Sequence, residues 1–251
     1  MKKLLLGNEA IARGAYEAGV RVSSAYPGTP STEINENVAT YPEIYSEWAP
    51  NEKVAVEVAL GAAVSGARSL ACMKHVGLNV AADPFFTATY TGVNAGMVVV
   101  VADDPGMHSS QNEQDTRMRA RAAHAPVLDP SNSQECKDFL KLAYEISEKY
   151  DTPVILRVTT RIAHARTLVE LDERVEVPLR EYKRDIKKYV SMPANMIARH
   201  LYVEEREKKL AEDANTLPIN RIEWADRKIG VITSGAAYNY VKEAMPTASV
   251  L

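Results

Sequence analysis

Cysteine is nearly missing from this chain, with only Cys72 and Cys136, far apart in sequence. There is no disulfide framework and no C-x-x-C pair for zinc or an iron–sulfur cluster, so a reducing, cytoplasmic setting fits. Long apolar runs are missing too. Met1-Lys2-Lys3 opens like a signal peptide, but the apolar run Leu4 to Leu6 ends at Gly7-Asn8-Glu9, short of the ~7 residues an h-region needs. The longest strongly apolar stretch, Met97 to Ala102, is far below the ~18 residues of a membrane span. Nor does one sign of charge dominate: 30 basic and 33 acidic side chains leave a net charge of −3. That balance gives no reason to expect a nucleic-acid or anionic-membrane partner.

The familiar catalytic templates are absent as well. No G-x-G-x-x-G follows a strand, and there is no Walker loop, H-E-x-x-H or G-x-S-x-G. The five histidines (His75, His108, His124, His164, His200) show no metal-ligand spacing, and a packed or solvated role is the commoner one for each. No metal site is expected from these side chains.

What is present is an ordinary globular composition, 46% hydrophobic and 25% charged over 251 residues. Up to about residue 165, helical and strand-like patterns alternate. Helices are expected over Asn8 to Gly19, Glu33 to Thr40, Glu52 to Ala67 and Gln134 to Lys149. Strands are expected over Arg21 to Tyr26, Tyr45 to Trp48, Ser69 to Met73, Gly96 to Ala102 and Pro153 to Val158. The alternation predicts an α/β fold with a mainly parallel sheet flanked by helices. From 166 to 226 strand signals vanish and mixed charge rises, which reads as a charged linker carrying one polar helix over Met196 to Ala214. Lys228 to Thr233 and Ala236 to Met245 then form a strand–turn–helix unit, so 227–251 reads as the incomplete start of a second α/β domain.

Three loops follow predicted parallel strands, where such folds bind ligands. Tyr26-Pro27-Gly28-Thr29-Pro30 is a stiff turn offering N–H groups and hydroxyls, and it also reads as a plain helix-capping turn. Lys74-His75-Val76-Gly77-Leu78-Asn79 brings a cation, an imidazole and an amide together, on a candidate anion site or a surface loop. The polar segment Ala102 to Arg117 is too long for a simple connection. Arg117 and Arg121, four apart on the following helix, can clamp a carboxylate or remain solvated. Glu57 lies inside VAVEVALGAA, either as a costly buried carboxyl or on the solvent side of its helix.

Taken in order, LLLGNEAIARGAYEAGV, AYPGTPSTEI, NEKVAVEVALGAAVSGAR, MKHVGLNVAADP, VADDPGMHSSQNEQDTR and KIGVITSGAAYNYVKEA resemble the alpha subunits of indolepyruvate:ferredoxin oxidoreductases. These belong to the thiamine-diphosphate-dependent 2-oxoacid:ferredoxin oxidoreductases. The resemblance implies that residues 1–165 form a pyrimidine-binding domain of the thiamine-diphosphate fold. It makes Glu57, in the spacing Glu57, Gly61, Ala62, Gly66, the catalytic carboxyl that meets the aminopyrimidine ring, with Glu52 as the alternative. It implies that Tyr26, Pro27, Gly28, Lys74, His75, Gly77 and Asn79 face the cofactor. Thr29 and either Arg117 or Arg121 would then contact the 2-oxoacid.

The implied reaction is oxidative decarboxylation of a 2-oxoacid such as indolepyruvate with CoA, reducing ferredoxin. No G-D-G motif for Mg²⁺ occurs, and the cysteines are too few for electron-carrying clusters. The diphosphate-binding domain, Mg²⁺ and the iron–sulfur clusters are therefore expected elsewhere in an oligomeric complex, in the rest of the subunit or in beta or gamma-type subunits. This chain alone is expected to be inactive.

Overall fold

The computed structural model describes residues 1–251. The chain order is β1 (Lys2–Leu6), α1 (Gly7–Glu17), β2 (Val22–Ala25), α2 (Thr32–Val38), β3 (Tyr45–Trp48), α3 (Glu52–Val64), β4 (Ser69–Lys74), α4 (His75–Val80), α5 (Ala82–Thr91) and β5 (Met97–Asp103). It continues with α6 (Thr116–Ala122), β6 (Val127–Leu128), α7 (Ser133–Tyr150), β7 (Val154–Thr159), α8 (Thr160–His164), β8 (Arg166–Glu170), α9 (Ile186–Tyr189), α10 (Pro193–Ala214), β9 (Asp226–Val231), α11 (Ala236–Ala244) and β10 (Ala248–Val250).

Six parallel strands form the central sheet in the order β3-β2-β4-β5-β7-β6. Its middle strands are buried on both faces, which explains their unbroken apolar sequence. Alternate side chains serve opposite layers. Leu70, Cys72, Val98, Val100, Leu156 and Val158 pack with α1, α2 and α7, whereas Ala71, Met73, Val99, Val101 and Ile155 pack with α3, α4, α5 and α6. The expected α/β sheet is thus observed, and the expected elements within it are present with ends shifted by a few residues.

The 166–226 segment is more ordered than a linker. β8 pairs antiparallel with β1, from Lys2↔Glu170 to Leu6↔Arg166. This strand escaped sequence reading because its apolar run is only Leu168-Val169; the exposed edge of β1 is what extends it. α10 is polar, as expected, but it is anchored by buried Val203 and Arg206, whose guanidinium donates to the carbonyl of Thr89 at 2.9 Å. Beyond it, β9 and β10 pair in parallel in a sheet of their own, with α11 between them. Ile229 and Ile232 in this unit are exposed.

Candidate functional site

The loops after β2 and β4 leave the sheet toward opposite layers. Ile34 and Val38 of α2 join the α1/α7 side, while Leu78 of α4 and Phe85 of α5 join the α3 side. Between these two diverging loops opens the crevice where open parallel sheets bind ligands. The turn after β2 is rigid: the Asn8 amide, fully buried, donates to the Pro30 carbonyl at 2.8 Å and to Glu33 at 3.1 Å. Within it, Gly28 N–H donates to the Thr32 hydroxyl at 2.9 Å, and Thr29–Pro30 is a cis peptide. Tyr26, Pro27 and Thr29 stay exposed on the crevice rim.

Lys74 crosses the crevice. A Cβ on Gly28 would lie 2.9 Å from its Cδ, so the glycine is what lets the lysine stem lie over this turn. Its ammonium donates to the Ser109 carbonyl at 3.3 Å. His75, buried, shares a hydrogen at Nε2 with the Asn112 carbonyl at 3.0 Å. A carbonyl only accepts, so Nε2 carries the hydrogen; in the neutral ring Nδ1 is then a bare acceptor, and it has no partner in the chain. These two bonds fasten the loop after β5 to the end of β4. Asp104 folds the same loop on itself, accepting from Ser109 N–H, the Ser110 hydroxyl and the Thr160 hydroxyl at 2.7 to 2.8 Å. Burial pushes the Asp104 carboxyl up, but those donors outweigh it and hold it at about 2.

α3 begins at the same crevice. The Asn51 side chain caps it by accepting from Val54 N–H at 3.0 Å, and this aims the first turn at α4. Glu52 in that turn is 8% exposed. Its carboxyl presses on Gly77: a Cβ there would lie 2.6 Å from both Cγ and Oε1. Glu57, which the resemblance made the catalytic carboxyl, is on the outer face of the helix, the solvent-side alternative, 49% exposed and 3.9 Å from Lys53. Helical geometry accounts for this. Val56 and Ala59 take inward positions on α3, and Glu57, turned about 100° from Val56 away from Ala59, falls on the opposite, outer face.

The two arginines do not share a site. Arg117 is bound fork-to-fork by Asp115, the cap of α6, at 2.7 and 2.9 Å, and it faces a cleft of about 650 Å³ beside the β9–α11 turn. Arg121 lines a separate groove of about 470 Å³ between α6, α7 and α10. Neither hydrogen-bonds to the turns after β2 or β4, and Asn79, four residues past His75, is exposed.

One anchor was not foreseen in sequence: Asp103 at the end of β5. It accepts from Arg157 Nε at 2.7 Å and from Thr116, so β5, β7 and α6 meet at one buried carboxylate. The adjacent acids Asp103-Asp104 after a buried strand were the available signal; the side-chain partners of Asp103 lie 13 and 54 residues away.

The crevice therefore joins a buried carboxyl, a glycine that leaves it room, an imidazole with a buried bare nitrogen and an exposed hydroxyl. That donor set fits a heteroaromatic ring with hydrogen-bonding nitrogens. Residues 13–220 match the family model described as pyruvate flavodoxin/ferredoxin oxidoreductase, thiamine diphosphate-binding. The chain is 50% identical over 254 aligned positions to the indolepyruvate oxidoreductase subunit IorA of Pyrococcus horikoshii, covering 97% of this chain and 39% of that protein. It is 49% identical to IorA of Methanothermobacter marburgensis, covering 97% and 40%. The chain thus spans about two fifths of the length of these relatives. A solved 2-oxoglutarate:ferredoxin oxidoreductase from Magnetococcus marinus, holding 2-oxoglutarate, coenzyme A and succinyl-CoA, superposes with a TM-score of 0.80 at 19% identity, over 99% of this chain and 53% of that one; it shares the fold. With most of its length inside the matched model, this chain belongs to the thiamine-diphosphate-binding family of pyruvate flavodoxin/ferredoxin oxidoreductases.

Proposed function

We propose that this chain supplies the pyrimidine-binding half of a thiamine-diphosphate site in an arylpyruvate, specifically indolepyruvate, oxidoreductase that passes electrons to ferredoxin. The observation that carries the proposal is the Glu52 carboxyl, buried against Gly77 at the β2/β4 crevice, in a chain half identical to IorA. When bound, thiamine diphosphate supplies the electron sink for decarboxylating a 2-oxoacid, and CoA would receive the acyl group.

The residues of the chain have simpler tasks. Glu52 exchanges a proton with a ring nitrogen at the carboxyl oxygen set against Gly77, which is the role expected of Glu57 transferred one and a half turns along α3. Gly77 keeps the approach to that oxygen open. His75 presents Nδ1 as an acceptor, and its other ring nitrogen holds the loop 104–115 at Asn112. Thr29 offers its hydroxyl to the substrate. A diphosphate-binding domain with Mg²⁺, iron–sulfur clusters, beta or gamma-type subunits and ferredoxin would complete the complex in the cytoplasm. Residues 227–251 would begin a second domain, and no helix of this chain is long and apolar enough to cross a membrane.

The test is calorimetric binding of thiamine diphosphate with Mg²⁺ to this chain alone and mixed with a diphosphate-binding partner. Binding only in the mixture is the expected result. Absence of binding in both leaves a non-catalytic assembly subunit as the reading.

A further inference from the structure

With Arg117 held by Asp115 and Arg121 in another groove, the crevice needs a different cation for an acidic substrate. Lys74 is that cation by position and by lack of a partner. It ends β4, lies half-buried over Gly28 next to Thr29, and forms no ion pair. Its sole hydrogen bond runs 3.3 Å to a neutral carbonyl, that of Ser109, so it has donors to spare. Most other half-buried cations of the body carry a carboxylate: Arg68 pairs with Glu148 at 2.8 Å, Lys188 with Asp151 at 2.8 Å and Arg199 with Asp151 at 3.2 Å. An ammonium left without an anion in a ligand crevice is better placed for a charged ligand than for the fold.

We propose that Lys74, rather than Arg117 or Arg121, binds the carboxylate of the 2-oxoacid, with the Thr29 hydroxyl beside it. The proposal rests on the reading of this crevice as the substrate side of the cofactor site. Gly28 is part of the same device, because any side chain there displaces the lysine stem. An incoming carboxylate replaces the long Ser109 contact with a charge-assisted one. That exchange frees the tip of the loop after β5, while His75 still holds its far end at Asn112.

The experiment titrates the full chain with phenylpyruvate and with its uncharged methyl ester, reading the lysine Cε–Hε signals by NMR. Phenylpyruvate is expected to move the Lys74 signal and the ester to leave it. Lys74→Met, which keeps the stem over Gly28, should weaken phenylpyruvate binding roughly tenfold or more, the scale of a lost charge-assisted contact. Lys74→Arg should restore most of it, and Arg117→Ala and Arg121→Ala should bind like the wild type. Equal binding by Lys74→Met, loss in either arginine variant, or no binding by the wild type would overturn the assignment. Thiamine diphosphate titrated into the same variants mixed with the diphosphate-binding partner separates the two ideas. Cofactor binding that survives in Lys74→Met while the oxoacid result fails leaves the domain reading intact and removes only the lysine.

Discussion

Glu52 and Glu57 differ by five positions and by almost everything that matters chemically. One is 8% exposed and packed on a glycine, and the other shares the solvent face with Lys53. The family spacing favoured Glu57, while VAVEVALGAA is apolar on nearly every side, so periodicity could not say which face is buried. The signal for Glu52 was its place directly after the cap residue Asn51, which fixes where the first turn points. Gly77→Ala tests the contact without touching the acid. Its Cβ would meet Glu52 at 2.6 Å, and because the acid can swing away, the stability cost should stay near ~1 kcal/mol, the low end for overpacking. Cofactor binding in the mixture should fall at least as far as in Glu52→Gln. A Gly77→Ala chain that binds normally would contradict the proposed approach to Oε1.

At the scale of elements, the loop after β5 matters most. Its polarity and length marked it in the sequence, but what holds it did not show, because Asp104 reaches Thr160 across 56 residues and His75 reaches Asn112 across 37. The Asp104 carboxyl has a folded-state pKa of about 2, below its ordinary value near 3.8. A depressed carboxylate contributes its full stabilisation above the unfolded value and loses it as pH falls through the folded one. The loop should therefore stay fastened at pH 5 and loosen progressively between about pH 4 and 2. Hydrogen exchange at the Ser109 amide, which Asp104 accepts at 2.8 Å, reads this directly. Asp104→Asn should loosen the loop already at neutral pH. Protection that is unchanged in that variant would show that Lys74 and His75 suffice.

Across the whole molecule, the sheet was the most legible feature, since buried parallel strands write themselves as apolar runs. The charged segment after it was least legible. Its role depends on partners far away, as where Asp172 meets Lys137 at 3.0 Å and Lys141 at 2.9 Å. Those two lysines also flank Glu17, which is fully buried. Lys137→Met should cost roughly 2 to 3 kcal/mol in urea unfolding, below the usual loss for an orphaned buried charge because Arg13 and Lys141 still reach Glu17. A loss under about 0.5 kcal/mol would mean that those neighbours fully compensate.

The most direct test of the half-site is exchange of the thiazolium C2 proton of thiamine diphosphate, followed by NMR in a mixture of this chain with a diphosphate-binding domain. Exchange should be fast with the wild type and with Glu57→Gln, and should drop by roughly a hundredfold or more with Glu52→Gln, the scale of a lost general acid–base group. Unchanged exchange in Glu52→Gln, or its loss in Glu57→Gln, would contradict the assignment of the buried carboxyl.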